Sequence, residues 1–227
     1  MLDHYLTIHS DGKHEIIIEK SRFICHIKRA TTETEAQTFI QEIKKEHRDA
    51  THNCSAYIIG ENDQYQKAHD DGEPSGTAGV PMLEVLKKKS LKNVAVVVTR
   101  YFGGTKLGAG GLVRAYGNAV SEAIQAIGIV ECKLATIVEC SFAYPLLGKI
   151  ENALELKAYQ IDKKEFTEKV VLHIFVDNDE LQDFFNWITE ISNGQLEYKE
   201  GPQKYREKDV TYYVHKRIYP ITRYYSY

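Results

Sequence analysis

Apolar positions change their period several times along this chain, and each change predicts an element. Residues 15–19 and 21–28 are rich in strand formers, and Phe23, Cys25 and Ile27 alternate with polar positions, as in a hairpin or one long bent strand. Residues 32–47 switch to helical spacing, where Ala36, Phe39, Ile40 and Ile43 share a stripe. Thr32 or Thr34 can cap that helix, Glu35 follows closely, and Lys44 and Lys45 stand where the helix dipole favours cations. Residues 52–59 read as a strand ending at Gly60, 61–66 as a turn, and 80–88 as a helix with Pro81 in its first turn. The β-branched run at 94–99 has no polar alternation, which predicts a strand covered on both faces. A long helix is predicted from near Gly111: Leu112, Tyr116, Ala119, Ala123 and Ile127 make its stripe, Val113, Val120 and Ile124 widen it, and Gly128 ends it.

Residues 1–10 read as a loose lead-in and 129–133 as a linker or the entry to a second unit. The pattern then runs strand 134–142, helix 145–156, strand 157–162, strand 168–176, helix 179–192 and strand 195–205. This βαββαβ succession is the ferredoxin-like split βαβ. The fold class is therefore α+β, with an N-terminal domain over 1–130, a ferredoxin-like C-terminal domain over 134–206 and a tyrosine-rich tail over 207–227. The tail carries Lys216, Arg217 and Arg223 among its tyrosines. Such a mixture can stack on single-stranded bases, and an added strand, a partner-binding tail or an oligomer contact fits it equally.

At 227 residues, 43% hydrophobic and 27% charged, the composition is that of an ordinary globular protein. A net charge of −3 argues against a generally basic nucleic-acid binder and leaves room for a local basic patch. There is no apolar run of membrane-spanning length and no signal-peptide pattern, so a cytoplasmic protein is expected. Cys25, Cys54, Cys132 and Cys140 form no CxxC pair and are expected to be reduced and partly buried. A zinc site from His47, His52 and Cys54 matches no standard ligand spacing.

The chemistry is concentrated between the predicted strand at 94–99 and the long helix. Gly103, Gly104, Gly108, Gly110 and Gly111 surround Lys106, with Arg100 and Arg114 on the flanks. Glycines let backbone N–H groups approach a ligand, and a helix N-terminus adds free donors and partial positive charge. Together with three cations this suits a phosphate, a carboxylate or an RNA backbone. The alternative is that the glycines only permit tight turning and close packing. Two phosphate motifs are excluded: Lys106 precedes Leu107 rather than Ser or Thr, and Gly108-Ala109-Gly110 continues as Gly111-Leu112-Val113 rather than as GxGxxG.

Upstream lie His69, Asp70, Asp71, Glu73 and Ser75. Three carboxylates and a histidine can bind a metal or move protons, but Asp and Ser also build turns and cap helices, and the structural reading is preferred. No calcium-loop alternation is present. Pairing of this loop with Arg100 or Arg114 would fix the mouth of the glycine loop. His52 and Cys54 lie two apart, hence on one face of a strand, where packing is favoured over nucleophilic chemistry.

Three runs carry a family likeness: Asp70-Asp71-Gly72-Glu73-Pro74-Ser75-Gly76-Thr77-Ala78-Gly79, Arg100-Tyr101-Phe102-Gly103-Gly104, and Lys106-Leu107-Gly108-Ala109-Gly110-Gly111-Leu112-Val113-Arg114-Ala115-Tyr116. They resemble the IMPACT/YigZ family, as do the early Lys20-Ser21-Arg22-Phe23 run and the His52-Asn53-Cys54 stretch. The resemblance implies an N-terminal domain like the second domain of ribosomal protein S-five. It implies a C-terminal domain like the small domains of translocating elongation factors.

The same resemblance implies a non-enzymatic role in translation, without cofactor or metal. Its partner would be RNA, the ribosome or a translation-regulatory protein, since eukaryotic members bind an activator of an initiation-factor kinase. Arg100, Lys106 and Arg114 would meet phosphates, the glycines would allow close approach, and Tyr101 or Phe102 would stack on a base. A phosphate- or nucleotide-binding enzyme is the alternative, since Lys106 to Gly111 looks like the phosphate loop of kinases with the S-five-like fold. Those kinases follow the glycines with Ser-Ser, which is missing here. An adaptor that binds proteins through its sheet or its tail is the third reading.

Overall fold

The computed structural model describes residues 2–210, so the tail cations Lys216, Arg217 and Arg223 lie outside the described residues. In chain order the elements are β1 (His4–Ile8), β2 (Gly12–Ile18), β3 (Ser21–Arg29), α1 (Glu33–Glu46), β4 (His52–Ile59), β5 (Tyr65–His69), α2 (Gly79–Lys88), β6 (Val94–Tyr101) and α3 (Gly108–Ile127). They continue with β7 (Ile129–Phe142), α4 (Leu147–Leu156), β8 (Ile161–Phe166), β9 (Val170–Asp177), α5 (Leu181–Ile191) and β10 (Glu197–Asp209).

The first sheet is antiparallel throughout, in the order β2-β3-β6-β4-β5. Its centre is β6, the unbroken β-branched run. Helix α1 covers one face, where Phe39, Ile40 and Ile43 pack on Tyr57, Ile59, Ala95 and Val97. Helices α2 and α3 cover the other, where Met82, Leu86, Tyr116 and Val120 pack on Phe23, Cys25, Val96 and Val98. Burial from both sides is why β6 tolerates no polar alternation before Thr99. Helix α1 begins at a capping box, with Glu35 N–H donating to Thr32 Oγ1 at 3.2 Å while the Glu35 carboxylate reaches back to the Thr32 N–H.

In the second sheet β10, β7, β9 and β8 lie in that order, with α4 and α5 packed on one face through Ile150, Leu154, Phe184 and Ile188. The βαββαβ succession is the one expected from the pattern. A 3-10 turn at Tyr144–Leu146 holds Pro145 and leads into α4. The strand expected at 157–162 starts later, because the turn with Ala158 at positive φ must first close the helix.

Three expectations are corrected. Residues 129–133 are the entry to the second unit and not a linker: they open the long strand β7, whose first part pairs with β1 and whose later part pairs with β9, while β10 runs along its other edge. Residues 4–8 are therefore a strand rather than a loose lead-in. Residues 207–209, expected in the tail, finish β10, where the Glu207 carboxylate holds Arg29 at 2.5 and 2.9 Å. That ion pair ties the end of β10 to the first sheet. All four cysteines are free and buried. No described helix is long and apolar enough to cross a membrane.

Candidate functional site

The loop between β6 and α3 is built on a close backbone approach. A Cβ on Gly103 would lie 2.0 Å from the Lys20 carbonyl carbon and 2.1 Å from its oxygen, so only glycine lets the β2–β3 turn sit there. Gly103 N–H donates to Ser21 Oγ at 3.1 Å, and Phe102 N–H to Thr51 Oγ1 at 3.1 Å. Gly104 and Gly108 take positive φ with open space around them. The helix begins three residues earlier than expected, so Gly108, Gly110 and Gly111 form its first turn. Glycine is a poor helix former, and that bias concealed the true start. Leu107 is the N-cap residue and supplies no side-chain acceptor to the first-turn N–H groups.

Around this helix start Lys106, Val113 and Arg114 are exposed. Phe102 is 46% exposed. The Arg22 guanidinium lies over the Tyr101 ring at 5.4 Å and is held by Glu15 at 2.9 Å. The Arg22–Tyr101 pair lies on the α1 side of the sheet, where Tyr101 Oη meets His47 Nδ1 at 2.9 Å, and so does not share the face covered by α3.

Arg100 does not belong to the exposed surface at the helix start. It is 5% exposed, with its guanidinium 5.3 Å from the Phe23 ring and 5.5 Å from the Phe102 ring. Its Nη1 donates to Glu73 Oε1 at 2.6 Å, and the Tyr116 hydroxyl donates to the same oxygen at 2.8 Å. It is therefore not the phosphate contact expected from the sequence, because a buried and neutralised cation cannot meet an external anion. Pairing of the acidic loop with Arg100 is present, through Glu73. Among the described residues Arg114 has no ion pair.

The remaining acidic residues build structure. Asp70 accepts from the N–H groups of Gly76 (2.8 Å), Ala78 (3.1 Å) and Gly79 (2.8 Å), and so caps α2 from a distance. Burial alone would raise its carboxyl pKa; these N–H donors outweigh it and hold the pKa below the usual value. Asp71 accepts from Asn53 N–H at 2.7 Å and Lys44 Nζ at 2.6 Å, and it too is held low against the effect of burial. His69 and Ser75 are exposed. Among the described residues no group of three or more His, Cys, Asp or Glu side chains is placed to hold a metal ion.

His52 and Cys54 do share a face, but not a reaction. Cys54 is fully buried, its Sγ 2.9 Å from the Asp70 carbonyl oxygen and 3.4 Å from Tyr116 Oη. Burial pushes its thiol up to about 12, so it stays protonated at neutral pH. His52 Nδ1 meets the Asp71 carbonyl oxygen at 2.9 Å, and its Nε2 lies 3.7 Å from Glu73 Oε2.

The Impact N-terminal domain family matches residues 19–124, and a domain of unknown function (DUF1949) matches residues 140–195. "IMPACT family member YvyE" of Bacillus subtilis (strain 168) is 58% identical over 212 residues, covering 93% of this chain and 98% of that one. The chain belongs to the IMPACT family.

"IMPACT family member YigZ" of Escherichia coli (strain K12) is 34% identical over 182 residues, covering 79% of this chain and 89% of that one. "Protein IMPACT homolog" of Dictyostelium discoideum is 38% identical over 96 residues, 40% of this chain but 27% of that protein. A solved structure titled "Crystal structure of an hypothetical protein" shares 30% identity with a TM-score of 0.57, covering 87% of this chain and 97% of that one. In this IMPACT-family chain the glycine loop, the acidic loop and β6 all fall within the matched N-terminal domain.

One feature beside the loop gave no sequence signal. His26 on β3 and His47 at the end of α1 lie with ring centroids 5.0 Å apart and planes tilted by 55°, and His47 Nδ1 reaches Tyr101 Oη at 2.9 Å. His26 is 6% exposed and its Nε2 has no partner. Burial first, then His47 and Lys13, depress its pKa to about 4 against the opposing pull of Glu46. The native state thus binds fewer protons than the unfolded chain between pH 4 and 6.5. This contribution is complete above the unfolded pKa and is lost as pH falls through the window. We expect about 3 kcal/mol of wild-type stability to vanish from pH 7 to pH 4 on this account, from about 1.4 kcal/mol per pKa unit. Urea unfolding of His26→Leu across that range should show a correspondingly shallower decline. Equal slopes in the two proteins would mean that His26 takes up its proton in the folded state.

Proposed function

We propose that this chain is a non-enzymatic, cytoplasmic binding protein of the translation apparatus that holds an RNA backbone at the start of α3. The observation that carries the reading is the uncapped helix start, with exposed Lys106 and Arg114 beside it. Gly104 and Gly108 leave open space for a phosphate to approach the backbone, and a Cβ on Gly110 would meet only Arg114 Nη1, at 3.7 Å. Phe102, 46% exposed with Arg100 over its ring at 5.5 Å, leaves its outer side for a base, and Tyr101 is engaged by Arg22. The implied kinship with ribosomal protein S-five and with elongation-factor domains, and the role of eukaryotic members in translation control, support the ribosome as the place of action.

Co-sedimentation with ribosomes and purified ribosomal RNA over a salt series tests it. The comparison variant is Lys106→Glu with Arg114→Glu, which leaves the buried Arg100 alone. Wild-type binding should fall steeply with salt, and the variant should lose most of it at unchanged melting temperature. Two fewer phosphate contacts lower the slope by about 1.4 to 1.8 in log K against log salt. No wild-type binding at low salt would overturn the RNA reading.

A further inference from the structure

A second surface, remote from the glycine loop in the sheet, is built to take an extended chain. Strand β5 has β4 on one side and, among the described residues, no strand on the other. Its register with β4 runs without a bulge and it contains no proline, so its outer edge is unguarded except by charge. Tyr65, Lys67 and His69 stand opposite Ile59, Tyr57 and Ser55, and Tyr57 and Ile59 belong to the core under α1. Those three side chains therefore point to the α1 side.

Between them and α1 lies a cleft of about 660 Å³, walled by the polar stripe Thr34, Gln37, Thr38 and Gln41. Its charges are uneven: Lys44, Lys45, Lys67 and His69 line it against Glu42 alone. Lys67 is held by Glu33 at 2.8 Å and Lys44 by Asp71 at 2.6 Å. Lys45 and His69 have no ion-pair partner among the described residues.

We infer that the β5 edge and this cleft bind an extended acidic segment of a partner protein. The segment adds as a sixth strand, its main chain pairing with the free edge of β5. Every second side chain enters the cleft, where carboxylates at that spacing meet Lys45, Lys67 and His69 in succession. Thr34, Gln37, Thr38 and Gln41 offer amides and hydroxyls above a floor that includes Ile40 and Tyr57, so the side chains it selects carry a carboxylate on methylenes, as glutamate does. This inference is independent of the RNA reading, because none of the cleft residues lies in the 100–114 loop.

The probe is a fluorescein-labelled peptide of alternating Glu and Val, with a Lys-and-Val peptide as its charge-inverted control. The acidic peptide should bind with saturation, the basic one should not, and the amides of residues 65–69 should gain protection from hydrogen exchange. Lys45→Glu reverses an exposed charge and Gln37→Trp fills the cleft. Each should weaken binding about tenfold, a loss of about 1.4 kcal/mol, without lowering the melting temperature. Lys106→Glu with Arg114→Glu should leave peptide binding unchanged, so failure here is separable from failure at the loop. Absence of binding, equal binding of both peptides, or protection appearing elsewhere would overturn the inference. So would concentration-dependent dimerisation through β5, since the occupant would then be a second copy.

Discussion

Glu73→Ala should be the most damaging single change near the loop, costing about 3 to 5 kcal/mol in urea unfolding. The cost comes from what is left behind. Glu73 Oε1 accepts from both Arg100 Nη1 and the Tyr116 hydroxyl, and the Arg100 Nε already lacks a partner. Removing the carboxylate strands a guanidinium that is 5% exposed between Phe23 and Phe102. A domain is stable by only about 5 to 15 kcal/mol, so the loss is a large share of the whole. The melting temperature should fall by about 10 °C, at about 2 to 4 °C per kcal/mol for a chain of this size.

Glu73→Leu combined with Arg100→Met should recover most of that stability, because two apolar side chains replace two charges; the Tyr116 hydroxyl still loses its acceptor, which keeps the recovery incomplete. If Glu73→Ala costs under about 1 kcal/mol, water reaches Arg100, and Arg100 returns to the set of ligand contacts. The same reasoning explains why Arg100→Glu is a poor probe of RNA binding: it places two carboxylates together in the interior, and loss of function would report unfolding.

The elements that stood out in the sequence are those whose burial is one-sided or complete. Val94 to Val98 lie between two helical layers, so nothing polar interrupts them, and the α1 stripe and the Thr32 cap follow from local rules alone. Strands β1 and β5 left little trace. Tyr65 to His69 are mostly exposed at a sheet edge, held chiefly by backbone pairing, and so show no period-two apolar signal. Residues 4–8 become a strand only because residues 129–133, far along the chain, pair with them.

The loop was legible as a cluster of glycines and cations, but the division of labour within it was not. Arg100 and Arg114 look alike in the sequence. Arg100 lies near the end of a central strand beneath the acidic loop, and Arg114 stands nearly two turns into α3, on an exposed face. Tyr116 read as part of an apolar stripe, and its hydroxyl is the second donor to Glu73.

The glycines of the loop divide in the same way, and two substitutions should separate them. In Gly103→Ala the new Cβ would fall 2.0 Å from the Lys20 carbonyl carbon, where backbone on both sides leaves nothing flexible to yield. The β2–β3 turn must move, and a loss of about 3 kcal/mol is expected, at the upper end of overpacking costs. Gly110→Ala meets only Arg114 Nη1 at 3.7 Å, an ordinary contact. It lies in the first turn of α3 without positive φ, so alanine should raise stability by about 0.4 to 1 kcal/mol. The pair then distinguishes the two uses of glycine. If the helix start grips a phosphate through its backbone, Gly110→Ala will stabilise the fold and yet weaken RNA binding, since the added methyl stands where the ligand must approach. Should binding be unchanged in this more stable protein, the glycines serve turning and packing alone. The phosphate contacts would then rest with Lys106 and Arg114 as side chains.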